Sequence, residues 1–339
     1  MPRWKNRPPG SNWGDFGADD QLGRMNLLTP ERRLAAVREV REGIAFALSL
    51  PLDYPGGEKL AIGRKPPRLH AVENPSGGPK YNLSLSQFAR AFTDVVCDDA
   101  VTLHTQYSTQ WDSLAHVGSE FDADGDGVPE KVFYNGFRAG EHVVGPEGDQ
   151  GRPCARALGI ENMASVAIQG RGVLADLNAR YGRDAARVGY DDLMRVLEEQ
   201  GAEVAIGDFL CLYTGFADVV LEQNRNPDPG VLHHVCAGLD GGDAKLLQWI
   251  TDSGIVAICA DNWAVEVVNP KPRSRERHAM LPLHEHCLFK QGIHLGELWY
   301  LTELASWLRK SGRSHFLLTA PPLRLPGSVG SPVTPIATV

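Results

Sequence analysis

The sequence lacks several features that would assign it quickly to a class. It has no run rich in lysine and arginine, and its formal net charge is −8, so nucleic acid is not an expected partner. Its apolar runs, such as residues 254–260, are much shorter than the roughly 20 residues that span a bilayer. Residues 1–10 are polar and lack the apolar core of a signal peptide. We therefore expect a cytoplasmic protein with no membrane partner.

Cysteine pairs and the common enzyme motifs are also missing. The six cysteines are scattered without a CxxC pair, so we expect reduced, mostly buried thiols rather than a structural zinc site. No glycine-rich dinucleotide fingerprint, P-loop or GxSxG elbow is present. These absences exclude the commonest functions of α/β proteins.

Strand and helix patterns alternate along the chain, which predicts an α/β fold. Thr29 and Pro30 are typical of a helix start, and Leu34, Val37 and Val40 then predict one apolar face. Further helices are predicted at residues 190–200, 243–251 and 301–310, and buried strands at 208–214 and 254–260.

The chain is expected to form a single domain over residues 1–339, with an N-terminal extension of about residues 1–45. Residues 55–80 are rich in glycine and proline and predict an irregular segment. Two roles remain open for this segment, the rim of a pocket or an arm that contacts a second copy.

Two segments concentrate side chains that can bind a metal. The first, residues 104–116, contains Gln106, Gln110, Asp112 and His116. The second, residues 283–297, contains His284, Glu285, His286, His294 and Glu297. A divalent ion needs two to four such nitrogen and oxygen ligands, although a single histidine in an α/β protein is more often structural.

A third acidic segment, residues 122–127, matches the first half of an EF-hand loop. Position twelve of that loop would be Phe133, where a bidentate glutamate is required. A solvated Asp-Gly turn is therefore the better interpretation, and calcium binding stays open.

Residues 106–116 resemble the H-x-G-T-H-x-D-x-P-x-H motif of the cyclase family, which includes bacterial kynurenine formamidases and isatin hydrolases. Thr109, Asp112 and His116 match, whereas Gln106 and Gln110 replace the two earlier histidines. Other segments resemble the family in order along the chain: Asn12-Trp13-Gly14, Asn26 to Pro30, Tyr134-Asn135-Gly136, Tyr213-Thr214-Gly215-Phe216, Asp261 to Glu266, His284 to Glu297, and Ala320 to Gly327.

The resemblance implies a swivelling β/β/α domain with a mixed sheet core and surrounding helices, and a homo-oligomer. It also implies two metal sites, one at Gln106, Gln110 and Asp112, and the other at Asp112, His116, His284 and Glu297. Amide oxygens are weak ligands, so we expect one divalent ion, Zn²⁺ or Mn²⁺, in the second site. Two alternatives remain, a harder ion that uses the glutamine oxygens, or a metal-free site in which Gln106 and Gln110 bind substrate.

The resemblance further implies a hydrolase that uses metal-activated water on a small molecule, namely a cyclic amide, an aryl formamide or a lactone. Whichever of His116 and His284 is not a ligand can serve as the general acid. Trp111 and Trp263 are candidates for stacking on an aromatic substrate, although core packing explains them equally well. The alternatives are a metal-independent cyclase or lyase acting on a polyketide-like metabolite, and a non-catalytic small-molecule binding protein.

Overall fold

The computed structural model describes residues 2–75, 77–148, 151–268 and 277–339. These residues form a mixed α/β fold. The α-helices that they contain are α1 (Pro30–Val37), α2 (Ile160–Ser165), α3 (Leu177–Tyr181), α4 (Tyr190–Glu199), α5 (Phe216–Glu222), α6 (Pro229–Leu232), α7 (Ala244–Ser253), α8 (Pro282–His284) and α9 (Thr302–Ser311). A π-helix, Glu285–Gln291, continues α8, and short 3-10 helices lie at Gly23–Leu27, Leu85–Gln87 and Tyr134–Gly136.

The strands are mostly short. In the first half of the chain they are β1 (Ala45–Ala47), β2 (Arg68–Ala71), β3 (Leu83–Ser84), β4 (Val95–Val96), β5 (Asp99–Thr102), β6 (Gln110–Asp112), β7 (Ser119–Phe121), β8 (Glu130–Val132), β9 (Val143–Val144) and β10 (Cys154–Ala155). In the second half they are β11 (Gln169–Asp176), β12 (Ala186–Val188), β13 (Phe209–Tyr213), β14 (Ala237–Leu239), β15 (Ala257–Ala260), β16 (His294–Glu297), β17 (His315–Thr319), β18 (Gly330–Pro332) and β19 (Ile336–Thr338).

A nine-stranded mixed sheet forms the centre, in the order β1-β19-β17-β11-β13-β15-β16-β6-β18. The strands β11, β13, β15 and β16 are parallel to one another, and antiparallel strands extend the sheet on both sides. Successive side chains point to opposite faces of a strand, so Leu210 and Leu212 pack under α4 and α7, whereas Phe209 and Cys211 pack under α2 and α9. Both faces of the central strands are therefore buried by apolar residues.

The predicted α/β class and the main predicted elements are confirmed. The strands predicted at 208–214 and 254–260 are β13 and β15, and the three later helices are α4, α7 and α9. The side chain of Thr29 caps α1 by accepting a hydrogen bond from the backbone N–H of Arg32. None of the helices in the described ranges is both long and apolar enough to cross a membrane.

The predicted apolar face of α1 is wrong. Leu34 and Val37 are 61% and 48% exposed, and Val40 lies beyond the end of the helix. The helix instead buries Ala36, whose small side chain allows a close approach to β11.

The segments that the sequence predicts as an extension and as an irregular region differ in their packing. In the N-terminal segment, Trp13 is fully buried and its indole N–H donates to the carbonyl of Phe289 at 2.7 Å. Residues 55–80 are mostly irregular but contain β2, which pairs with β5 and is exposed along its length. All six cysteines are free thiols, and four of them are buried.

Candidate metal centre

Two neighbouring strands bring together polar residues that are far apart in the sequence. Antiparallel pairing of β6 with β16 places Gln110 opposite Glu297 and Asp112 opposite Leu295. Because directly opposed residues share one face of a sheet, the side chains of Gln110, Asp112 and Glu297 all project from the same face. Glu297 ends β16, so the cluster lies at the carboxyl edge of the parallel strands, where α/β proteins commonly bind ligands.

The helical segment formed by α8 and the π-helix supplies the histidine. Leu283 and Cys287 are fully buried in the core that covers this face of the sheet, which fixes the segment above β16. The Nδ1 atom of His284 lies 2.8 Å from Oε1 of Glu266, and its Nε2 atom lies 3.2 Å from Oε1 of Glu297. Turns of π-helix are frequent at functional sites, because they redirect a side chain from the regular helical face.

Three side chains meet the geometry of a metal centre. Asp112, His284 and Glu297 are buried, and each offers a ligand atom that lies within 4.8 Å of the other two. Neither carboxylate oxygen of Asp112 has a hydrogen-bond partner among the described residues. A buried carboxylate without partners is costly, and a divalent cation is the compensating group that a set of two carboxylates and one imidazole fits.

The electrostatics of these groups reflect their burial. Burial raises the pKa of Asp112 well above its usual range, and the nearby charge of Glu297 raises it further. Burial opposes the charge of His284, but its hydrogen bonds with Glu266 and Glu297 outweigh this effect and raise its pKa to about 10. Without a cation, these shifts favour an imidazolium of His284 that bridges Glu266 and Glu297, and a neutral acid at Asp112 whose oxygens have no hydrogen-bond partner among the described residues.

His116 lies beside this cluster rather than within it. Its Nε2 atom is 3.8 Å from Oδ1 of Asp112, and its Nδ1 atom is 3.5 Å from Nε2 of Gln106. Burial lowers the pKa of His116 to about 3, and the charges of His284 and Arg64 act in the same direction. Of the four ligands that the resemblance implies, three converge and the fourth is a close neighbour.

The two tryptophans expected at a substrate site lie in different environments. Trp111 points to the opposite face of β6, is fully buried, and donates its indole N–H to the carbonyl of Ala320. The structure therefore does not bring Trp111 to the cluster, because side chains alternate along the strand. Trp263 lines a cavity of about 570 Å³ together with Glu266, and its ring lies 5.1 Å from that of His233.

Gln106 also lines a small cavity next to the cluster. This cavity, of about 10 Å³, has room for about one water molecule and is shared with Trp263 and Arg64. The guanidinium of Arg64 donates to the backbone carbonyl of Gln106 at 2.8 Å. Residues of the segment 55–64 therefore line a cavity beside Gln106, and the choice between a pocket rim and an arm that contacts a second copy stays a prediction.

Sequence reasoning assigned no role to Glu266 or Arg64. In the sequence, Glu266 is only the last residue of a segment, Asp261 to Glu266, that resembles the family. Its contacts with the imidazole and backbone N–H of His284 depend on the folded chain. Arg64 reaches Gln106 across 42 residues of sequence, and no motif indicates that contact.

A second group of carboxylates, Asp122, Asp124 and Glu130, also lies close together. The carboxylate of Asp122, however, already accepts hydrogen bonds from the backbone N–H groups of Gly125, Asp126 and Gly127. These are the contacts of a solvated Asp-Gly turn, which matches the interpretation preferred from the sequence.

Comparisons with known proteins agree with this architecture. Residues 46–267 match the family Cyclase, described as "Putative cyclase". A crystal structure of a novel cyclase aligns with 98% of this chain and 100% of its own, at 30% identity and a TM-score of 0.75. No curated protein shows a significant match.

More distant structures share the fold. Isatin hydrolase A from Ralstonia solanacearum aligns at 14% identity and a TM-score of 0.53, covering 91% of this chain and 97% of its own. Isatin hydrolase A from Labrenzia aggregata, bound to benzyl benzoate, aligns at 13% identity and a TM-score of 0.54, covering 92% of this chain and 99% of its own. The predicted cyclase-like fold is thereby confirmed.

Proposed function

Because the chain belongs to the Cyclase family, we propose that it is a hydrolase that uses one divalent ion, Zn²⁺ or Mn²⁺, to cleave a cyclic amide, an aryl formamide or a lactone. The observation that supports this most strongly is the carboxylate of Asp112, which is fully buried beside His284 and Glu297 with neither oxygen bonded. A protein that only packs a core gains nothing from such a group, because a buried polar group without hydrogen-bond partners is destabilising whether it is charged or neutral.

Asp112, His284 and Glu297 would hold the ion, and Glu266 would orient the ring of His284 through its Nδ1–H. A carboxylate that accepts the second N–H of a metal-binding histidine is a common arrangement, because it fixes the tautomer and the ring orientation. When bound, such an ion acts as a Lewis acid that polarises a carbonyl and lowers the pKa of water.

His116 is then the residue available to transfer a proton. Both ring nitrogens of His284 are engaged by carboxylates, whereas the side chain of His116 is 22% exposed and makes only longer contacts. The lowered pKa of His116 keeps its imidazole neutral and able to accept a proton from the attacking water, and the imidazolium so formed is a strong acid that returns the proton to the leaving nitrogen or oxygen.

Neither the three proposed ligands nor His116 lines the cavity of about 570 Å³, but Trp263 lines both it and the small cavity beside Gln106, so the substrate would lie along Trp263 with its reacting end towards His116. The volume of the larger cavity lies within the range of small-molecule sites, and the tilted rings of His233 and Trp263 offer an aromatic surface. Isatin, which appears in the names of the distant structural neighbours, is a small aromatic cyclic amide, and a cavity of this volume with an aromatic surface accepts such a molecule.

The test is hydrolysis of formanilide, isatin and dihydrocoumarin by metal-free protein and by protein reconstituted with Mn²⁺ or Zn²⁺. We expect hydrolysis of at least one probe only after reconstitution. His116→Ala should lower kcat by about 10²- to 10⁴-fold without changing the metal content. His142→Ala, a substitution of a partly buried histidine that accepts from the backbone N–H of Arg138, is the matched control and should leave kcat unchanged.

Two outcomes would contradict the proposal in different ways. Hydrolysis by metal-free wild type and by Asp112→Asn at the rate of the reconstituted wild type would indicate the metal-independent reaction. Tight binding of a probe without turnover in any metal state would indicate a small-molecule binding protein.

A further inference from the structure

The two glutamines that replace histidines of the family motif differ in burial and in hydrogen bonding. Gln110 is fully buried, and its Nε2 donates to Oε2 of Glu297 at 2.8 Å, while its Oε1 has no partner among the described residues. Gln106 is only partly buried, and its Oε1 already accepts a hydrogen bond from the hydroxyl of Thr105 at 2.8 Å. Only one of the two amide oxygens is therefore available.

The orientation of the Gln110 amide follows from its neighbour. Exchanging its oxygen and nitrogen would place an amide oxygen against a carboxylate oxygen of Glu297, and both atoms are acceptors only. The nitrogen therefore faces Glu297, and the oxygen is the atom left without a donor.

Three buried oxygens without donors therefore belong to two residues of β6 whose side chains project from the same face. They are Oε1 of Gln110 and both carboxylate oxygens of Asp112, two residues along the same face of the strand. Isolated buried acceptors are rare in folded proteins, because each has lost its hydrogen bonds to water without a replacement. A cation held by Asp112, His284 and Glu297 would lie on this same face, next to the side chain of Gln110 that contacts Glu297.

We propose that Oε1 of Gln110 is a fourth protein ligand to the ion held by Asp112, His284 and Glu297. This inference rests on the proposed function, because it adds a ligand to the same metal centre. The resulting set has three residues that bind through oxygen and one that binds through nitrogen. Carboxylate and carbonyl oxygens suit Mn²⁺, whereas imidazoles suit Zn²⁺, so this set narrows the affinity advantage that Zn²⁺ normally has over Mn²⁺.

The test is titration calorimetry of metal-free protein with Mn²⁺ and, separately, with Zn²⁺. Gln110→Leu should weaken Mn²⁺ binding by at least about tenfold, the size of effect seen when a metal site loses a supporting residue. Gln106→Leu is the matched control, because its amide oxygen is already bonded, and it should bind Mn²⁺ as the wild type does.

A third variant separates ligation from positioning, because Gln110→Leu also removes the hydrogen bond to Glu297. Gln110→His supplies an imidazole ligand and should raise the ratio of Zn²⁺ to Mn²⁺ affinity by at least about tenfold. Circular dichroism and thermal unfolding of each variant confirm that it is folded before titration.

Each result decides the inference. An unchanged Mn²⁺ affinity in Gln110→Leu, or an unchanged affinity ratio in Gln110→His, would overturn the role of Gln110 while leaving the three-residue metal centre standing. Failure of the wild type to bind either ion would overturn both this inference and the proposed function.

Discussion

Replacing Asp112 by asparagine should stabilise the metal-free protein and remove the stabilisation that added metal gives to the wild type. In the metal-free protein, Asp112 is fully buried with two carboxylate oxygens that lack partners. The raised pKa of Asp112 means that the metal-free protein must hold this side chain protonated, whereas an amide is neutral without taking up a proton, and its N–H₂ group can donate towards the carboxylate of Glu297 nearby. Because a buried unsatisfied polar group costs about 1–3 kcal/mol, we expect Asp112→Asn to stabilise the metal-free protein by a similar amount.

The expected shifts are measurable by thermal unfolding. At about 2 °C per kcal/mol for a chain of this size, the metal-free variant should melt about 2–6 °C above the metal-free wild type. Metal at 100 times its Kd should stabilise the wild type by about 2.7 kcal/mol, which corresponds to about 5 °C. The same addition should shift the variant by less than about 1 °C, because a carboxylate ligand is gone.

Asp122→Asn provides the matched control. The carboxylate of Asp122 accepts three backbone N–H groups, so its replacement should destabilise the turn and leave the metal-induced shift intact. The reasoning would be refuted if Asp112→Asn melted below the wild type without metal and still gained stability when metal was added.

Three further predictions concern other parts of the molecule. Glu266→Gln removes the carboxylate that holds Nδ1 of His284, so calorimetry should show metal affinity lower by about 10- to 100-fold, and an unchanged Kd would exclude that role. Phe88 and Phe92, in the connection between β3 and β4, are 59% and 50% exposed, and apolar surface of this kind is typical of an interface. The mass measured by light scattering should therefore fall from that of an oligomer to that of a monomer in Phe88→Asp/Phe92→Asp, whereas a wild type that is already a monomer would disprove this. Arg24 is buried and donates to backbone carbonyls and to Gln291, so Arg24→Lys should lower the free energy of unfolding in denaturant by about 1.5–3 kcal/mol, and an unchanged midpoint would contradict it.

The regular elements were predictable because their causes are local. The strand β13 is a continuous apolar run, and α7 begins at Asp243, whose side chain accepts from the N–H groups of the first turn. Such patterns depend on neighbours within a few residues. The prediction of an apolar face on α1 was wrong because its cause is not local. The sheet beneath the helix decides that Ala36 is buried in place of Leu34.

The sequence indicated which residues form the candidate site, but not the role of each residue. The motif segments indicated Asp112, His284 and Glu297, but only the register of β6 against β16 brings strands separated by more than 180 residues together. The same register distinguishes Gln110, which faces Glu297, from Gln106, which a loop places beside His116. Long-range pairing of this kind leaves no periodic signal in the sequence.

The most direct test of the metal centre is the metal content of protein purified without chelator, measured by mass spectrometry for wild type, Asp112→Ala and Asp122→Ala. We expect about one Zn or Mn per chain in the wild type and in Asp122→Ala, and none in Asp112→Ala. The account would be contradicted by a wild type that holds no metal even after incubation with Zn²⁺ or Mn²⁺, or by an Asp112→Ala variant that retains the same amount.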